Sequence, residues 1–113
     1  MNQLFPKRYR VLRGEDFTQI LRRGNCAADG MLVLYARASR SPSAPRLGVT
    51  IPKKTGSAVL RNHWKRLIRE AYRTQRDQLP PGFDFVVRPK KGAQPNAAAI
   101  RRSLIKLAKR GAG

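Results

Sequence analysis

The sequence predicts one mixed α/β domain whose elements follow the order α-β-β-β-α-β-α. A length of 113 residues with 41% hydrophobic residues fits a single domain with a modest core. Apolar residues recur at helical spacing in three stretches and form short β-type runs between them, and Gly- and Pro-containing turns separate these stretches. If the first two strands are continuous, the chain has one strand fewer.

The domain 1–113 is expected to contain a flexible basic arm at its start and a globular core over 13–110. In chain order we predict the arm at 1–12, a helix at 15–23, one or two strands within 26–38, a loop at 41–45, a strand at 46–51, a helix at 57–78, a strand at 83–88 and a last helix after Asn96.

The N-terminal half is predicted from side-chain spacing and turn residues. Phe17, Ile20 and Leu21 share one side of the first helix, and Gly24 ends it. The segment after it is rich in strand-forming residues but is interrupted near Asp29, so it forms one strand or two. The strand that follows the loop alternates apolar and polar residues, which is typical of a half-buried strand.

The elements of the C-terminal half are predicted from helix-capping residues and from a proline that ends a helix. Ser57 or Thr55 is a plausible N-cap for the long helix, which must stop before Pro80 because proline lacks an N–H donor. An apolar run forms the last strand, and Asn96 caps a final helix with one apolar side.

The long helix separates charge from apolar surface. Its cationic arc comprises Arg61, Asn62, Lys65, Arg66, Arg69, Arg73 and Arg76. Its opposite arc comprises Leu60, Trp64, Leu67, Ile68 and Ala71. Since only Glu70 lies among the cations, this row requires an external polyanion.

Composition points to a nucleic acid. Lys and Arg number 25 against 6 Asp and Glu, for a net charge of +19, and such an excess attracts phosphate backbones. An anionic membrane surface is the weaker alternative, and no apolar run approaches the length of a membrane span. A single cysteine, Cys26, and the lack of a signal-peptide pattern fit a reduced cytoplasmic setting.

A self-sufficient enzyme is not predicted. The six acidic residues are scattered through different elements, and His63 is the only histidine, so the usual metal triads and His pairs are missing. Lys53-Lys54-Thr55-Gly56-Ser57 does not match the order of a nucleotide-binding P-loop. We therefore expect no catalytic residue, no metal site and no cofactor in this chain.

Three segments closely resemble the signature of the bacterial ribonuclease P protein subunit. They are residues 51–54 (Ile-Pro-Lys-Lys), 58–59 (Ala-Val) and 61–70 (Arg-Asn-His-Trp-Lys-Arg-Leu-Ile-Arg-Glu). That family typically reads Ser-Lys-Lys, then Ala-Val-x-Arg-Asn-Arg-x-Lys-Arg-x-x-Arg-Glu, and the resemblance extends in order over about 12–109. His63 stands at the usual second arginine and Pro52 at the usual serine, which puts those two contacts in question.

The resemblance implies both a fold and an activity. The fold is an α+β sandwich with a four-stranded sheet and a left-handed βαβ crossover, like the second domain of ribosomal protein S5. The activity is that of a ribonucleoprotein endoribonuclease, a hydrolase that removes the 5′ leader of precursor tRNA. The catalytic groups and Mg²⁺ belong to the RNA, and neither a membrane nor an obligate protein partner is implied.

The resemblance also assigns sites. The residues matched to catalytic-RNA binding are Lys53, Lys54, Arg61, Asn62, His63, Lys65, Arg66, Arg69 and Arg73. The residues matched to the leader-binding cleft are Phe17, Val33, Tyr35 and Arg37. For Phe17 and Tyr35, core packing is the alternative. The lysines at 90–91 and the cations of the last helix either extend the RNA surface or are simply solvated.

The runner-up is a ribosomal or RNA-chaperone protein that binds structured RNA without cleavage. It shares the charge and the mixed α/β pattern but not the ordered lysine and arginine set. A DNA-binding architectural protein is a third class, and the sequence shows no helix-turn-helix or minor-groove arm that would favour it.

Overall fold

The structure, a computed structural model, describes residues 14–39 and 45–113. Its elements are α1 (Gly14–Arg23), β1 (Asn25–Ala28), β2 (Leu32–Ala38), β3 (Arg46–Val49), a 3-10 turn (Lys53–Thr55), α2 (Ala58–Gln75), a second 3-10 turn (Arg76–Gln78), β4 (Phe83–Pro89) and α3 (Ala97–Ala112). The predicted class and element order are confirmed, with the first strand pair separated into two strands. The predicted arm at 1–12 and most of the 41–45 loop lie outside the described residues.

The four strands form one sheet in the order β1-β2-β4-β3. β2 lies antiparallel to both β1 and β4, whereas β3 and β4 run parallel, with Arg46 opposite Asp84 and Val49 opposite Val87. A parallel pair needs a long crossover connection, and α2 supplies it. Because both parallel strands end at the same edge of the sheet, the segments that leave them are neighbours there.

Asp29 explains the break between β1 and β2. Its Oδ1 accepts hydrogen bonds from the backbone N–H groups of Met31 (2.8 Å) and Leu32 (2.9 Å). Its Oδ2 accepts from Ser103 Oγ at 2.6 Å and lies 3.1 Å from Lys106 Nζ, both on α3. Burial acts to raise the pKa of Asp29, but these hydrogen bonds together hold it well below its usual range.

The main core lies between one face of the sheet and the two long helices. Trp64 and Ile68 of α2 are fully buried there, which confirms the predicted apolar arc. Tyr72, which that arc omitted, is also fully buried. Its hydroxyl donates to the Pro45 carbonyl at 2.7 Å, so the polar end of the ring is satisfied inside the protein.

The opposite face of the sheet is covered by α1. Ile20 packs on Val86 of β4, and Phe17 and Tyr35 pack partly buried against this pair. By spacing, Leu21 lies on the same side of α1 as Phe17 and Ile20, but its side chain is 41% exposed. Successive helical residues diverge by about 100°, so only a narrow stripe of this short helix meets the sheet.

Close packing ends α1. The Gly24 N–H donates to the Ile20 carbonyl at 2.8 Å. A Cβ at Gly24 would lie 2.5 Å from that carbonyl oxygen and 2.9 Å from the Ala36 carbonyl oxygen of β2. Backbone cannot yield like a flexible side chain, so glycine is required where α1 approaches the sheet.

The two longer helices begin where the caps predict. Ser57 Oγ accepts from the Leu60 N–H at 3.2 Å, and Asn96 Oδ1 accepts from the Ala99 N–H at 2.9 Å. The predicted long helix is shortened, because α2 ends at Gln75 and the last three residues form the second 3-10 turn. A 3-10 ending of this kind is common at helix C-termini.

Candidate nucleic-acid interface

The outer side of α2 presents a row of polar and cationic side chains. Asn62, Arg66 and Arg69 are exposed, and their spacing of four and three residues places them on one face over about 10 Å of helix. His63 is exposed beside them. Within the described residues, Arg66 and Arg69 make neither an ion pair nor a side-chain hydrogen bond. Their guanidinium groups are therefore available to a ligand.

Three other cations of the predicted set are less free. Arg61 and Lys65 are half-buried, and Arg61 Nε donates to the Gly56 carbonyl at 3.2 Å, which fixes its stem at the start of α2. Arg73 forms a two-point ion pair with Glu70, whose hydrogen bond lowers the pKa of Glu70 and raises that of Arg73. Arg73 can still contact a phosphate, but its charge is already compensated.

Lys53 and Lys54 precede α2 in the first 3-10 turn, and both are exposed. The turn is closed by the Thr55 N–H, which donates to the Pro52 carbonyl at 2.9 Å. Pro52 lacks a backbone N–H, but its carbonyl oxygen still accepts the hydrogen bond that closes the turn. The turn places both lysines beside the first turn of α2, so they extend its cationic row.

The predicted leader-binding residues lie on the face of the sheet that α1 covers. Alternation along β2 directs Val33, Tyr35 and Arg37 to this side, opposite the core-facing residues of the same strand. Arg37 Nη1 donates to Gln19 Oε1 of α1 at 3.1 Å, which ties the strand to the helix. Phe17 of α1 is half-buried and packs against the cluster of Ile20 and Val86.

Accessibility differs among these four residues. Tyr35, Arg37 and Phe17 keep exposed surface, whereas Val33 is only 4% exposed and offers little of its side chain to a ligand. The structure thus brings Phe17, Tyr35 and Arg37 together at the junction of α1 and the sheet. Val33 shares their face but contributes packing there.

Sequence reasoning missed an ion pair on this face. Arg46 of β3 donates from Nε to Asp84 Oδ1 (3.0 Å) and from Nη2 to Asp84 Oδ2 (2.7 Å), and the Asp84 side chain is 7% exposed. The alternation of β4 places Asp84 and Arg88 on the same side as Val86. The alternation of residues along β4 was visible in the sequence and places Asp84 on this face. The parallel pairing of β4 with β3, which brings Arg46 to Asp84, was not visible there.

Comparison with known proteins decides the family. The sequence profile of the family described as Ribonuclease P matches residues 5–111. The chain belongs to the ribonuclease P protein family. The resemblance noted in the sequence is thereby confirmed.

Individual members of the family are similar to this chain in sequence and in structure. The ribonuclease P protein component of Brevibacillus brevis is 37% identical over 103 residues, which cover 90% of this chain and 82% of that protein. The component of Geobacillus kaustophilus is 32% identical over 108 residues, covering 95% and 89%. The solved structure of the RNase P protein from Thermotoga maritima matches with a TM-score of 0.79 at 32% identity, covering 88% of this chain and 94% of that one.

Family membership establishes the biological process. The chain is an RNA-binding protein of tRNA processing, it acts in an endoribonuclease complex, and its partner is the ribonuclease P RNA. Within 14–39 and 45–113, no three His, Cys, Asp or Glu side chains are grouped so that they could hold a metal ion. No helix in the same part of the chain is long and apolar enough to cross a membrane.

Proposed function

We propose that this ribonuclease P protein binds the catalytic RNA through the cationic row of α2 and the preceding lysines, and holds the 5′ leader of precursor tRNA between α1 and the sheet. The RNA, with Mg²⁺, carries out the endonucleolytic cleavage that gives the mature 5′ end. The observation that carries this proposal is that Arg66 and Arg69 are exposed, without an ion-pair partner among the described residues, on a helix whose opposite side is anchored in the core.

The anchoring matters because it preorganises the cations. Trp64 and Ile68 are fully buried, so α2 cannot rotate without exposing them. The arginines therefore keep one spacing whether or not RNA is bound, and less conformational entropy is lost on binding. Guanidinium groups bind phosphate oxygens in a bidentate way, whereas the lysines at 53–54 act as point charges.

The cleft suits an unpaired strand of varied sequence. Tyr35 and Phe17 offer aromatic surface, and Arg37 offers a charge on the same face. Stacking on an aromatic ring needs no particular base, because every base has a π-face. A leader can thus be held without sequence-specific hydrogen bonds.

Placing catalysis in the RNA is supported by the distribution of acids in the protein. Among the described residues, Asp29 and Asp84 are held by internal hydrogen bonds, Glu70 is paired with Arg73, and Asp77 is exposed in the second 3-10 turn. These four carboxylates lie in different elements, and three of them are committed to the fold or to a neighbouring cation. We further propose a cytoplasmic location and no obligate protein partner.

Reconstitution tests the function. The protein is mixed with a bacterial ribonuclease P RNA at low Mg²⁺, and cleavage of precursor tRNA is followed on a gel. We expect faster leader removal than with the RNA alone, because the protein's cations replace part of the counterion charge and it also binds the leader. No stimulation, together with tight binding to unrelated structured RNA, would instead favour the ribosomal or RNA-chaperone alternative.

A further inference from the structure

His63 is the only histidine of the chain, and it lies on the outer side of α2 within the proposed RNA surface. Its side chain is exposed, and within the described residues no hydrogen bond or ion pair occupies its ring. Arg66 follows it by three residues and Val59, which is 80% exposed, precedes it by four, so both are its neighbours on the helix surface. The imidazole is therefore open to the same ligand that Arg66 contacts.

The charged side chains that α2 itself places around His63 are mostly cations. The one carboxylate of this helix is Glu70, seven residues or about 10 Å further along the axis. It is already paired with Arg73, so it is not free to pair with the imidazole. Arg66, one turn away, is the nearest charged neighbour on the helix.

The elements packed against α2 add further positive charge. Arg46 of β3 is held by Asp84, and the residues that β2 and β4 share with α2 in the core cluster are apolar. Asp77 of the second 3-10 turn lies fourteen residues beyond His63, about 21 Å for a helical rise. The first 3-10 turn, the loop after β4 and α3 contribute only cations, of which one is paired with Asp29: Lys53, Lys54, Lys90, Lys91, Arg101, Arg102, Lys106, Lys109 and Arg110.

These surroundings make the charge of His63 depend on its ligand. Histidine is the side chain whose charge ordinarily changes between about pH 5 and 8. The described part of the protein offers no free carboxylate nearby that would stabilise a protonated ring. A phosphate bound at Arg66 does so, because it brings negative charge and accepts a charge-assisted hydrogen bond from the imidazolium. Protonation of the ring and binding of a polyanion must then favour each other by the same factor.

We propose that His63 is a proton-coupled RNA contact: its ring takes up a proton from solvent as the catalytic RNA binds and donates to a backbone phosphate beside Arg66. The protein accordingly binds its RNA more tightly as the pH falls from about 8 to 5.5. This inference rests on the proposed binding of the catalytic RNA by α2. The family resemblance places arginine, which is always charged, at this position. In this chain one contact of the interface is conditional on pH.

Two substitutions at this exposed position separate the charge from the side chain. His63→Arg supplies a fixed charge, and His63→Gln keeps a neutral side chain that can still donate a hydrogen bond. Both new residues favour a helix, so the fold should persist, and thermal unfolding of each variant checks this. The matched control is His63→Gln/Lys109→His, which moves the histidine to an exposed position near the end of α3.

Affinity for the catalytic RNA is measured from about pH 5.5 to 8 at constant ionic strength. Relative to His63→Gln, the wild type should gain about fivefold in affinity between the two limits, as one charge-assisted hydrogen bond forms. His63→Arg should bind tightly throughout, and the α3 control should follow the profile of His63→Gln. Titration of the RNA and of the α-amino group is common to all four proteins and cancels. Calorimetry at pH 7 in two buffers of different ionisation enthalpy should show about half a proton more taken up by the wild type than by His63→Gln.

The contrary results are distinct. If the wild type fails to bind the catalytic RNA at every pH, the proposed function itself is overturned. If it binds but its pH profile parallels that of His63→Gln, the ring takes up no proton at the interface and only this inference fails. Recovery of the wild-type profile by the α3 control would also overturn it, because the imidazole would then act as diffuse charge. So would a folded His63→Arg that binds more weakly than the wild type at pH 8, since the position would then reject a cation.

Discussion

The exposed arginines of α2 offer the sharpest test of the RNA interface. In the variant Arg66→Ala/Arg69→Ala, two cations that have no partner within the described residues are removed from the outer side of a core-anchored helix. Each phosphate contact contributes about 0.7–0.9 to the slope of log K against log salt, so the slope should fall by about 1.6. Between 50 and 200 mM salt that difference alone amounts to roughly ninefold in relative affinity. The variant should thus lose most affinity at low salt and approach the wild type as salt rises.

Filter binding of the catalytic RNA at four salt concentrations measures this difference. Arg101→Ala/Arg102→Ala is the matched control, because it removes the same charge from exposed positions on α3. Circular dichroism should show unchanged folding, since exposed helix surface tolerates alanine well. Parallel lines of equal slope for wild type and variant would refute the reasoning, even if the variant bound more weakly at every salt concentration.

Two further predictions concern the fold and the cleft. Asp29→Asn should lower the free energy of unfolding at pH 7 by about 1–3 kcal/mol, because a hydrogen-bonded carboxylate is lost. Since the folded-state pKa of Asp29 is depressed, that loss should be full above about pH 4 and should shrink as the pH falls toward 2; an equal loss at pH 2 and pH 7 in urea unfolding would contradict it. Tyr35→Ala or Phe17→Ala should weaken binding of precursor tRNA to the reconstituted holoenzyme by about 1 kcal/mol or more while sparing mature tRNA, and equal losses for both ligands would indicate a packing defect instead.

Local features were predictable where one short segment decides them. Ser57 and Asn96 cap their helices as expected. Capping is a local property, because the side-chain oxygen of the cap accepts a hydrogen bond from a backbone N–H only two or three residues later in the chain. The buried side of α2 followed from helical spacing, which Trp64 and Ile68 obey. The break at Asp29 was foreseen, although its bond to Ser103 was not.

The errors concern contacts between distant segments. Spacing puts Leu21 on one side of α1 with Phe17 and Ile20 but does not show that Leu21 is exposed, and the predicted apolar arc of α2 does not include the buried Tyr72. The burial of each of these two side chains depends on how far the sheet and the other helices extend over it. A local sequence pattern carries no information about that distance. The exposed fraction of Val33 has the same origin, because alternation assigns a strand residue to a face but does not say what covers that face.

The sequence by itself determined the elements, the cationic side of α2 and, through an ordered signature, the family. Each of these depends on residue type and short spacing, and both are visible in one dimension. The tertiary structure decided which strands are neighbours. The parallel pairing of β3 with β4 brings Arg46 to Asp84 and places the lysines at 53–54 beside those at 90–91. The order of strands in the sheet brings segments that are more than 30 residues apart into contact. That order is set by the packing of the whole domain.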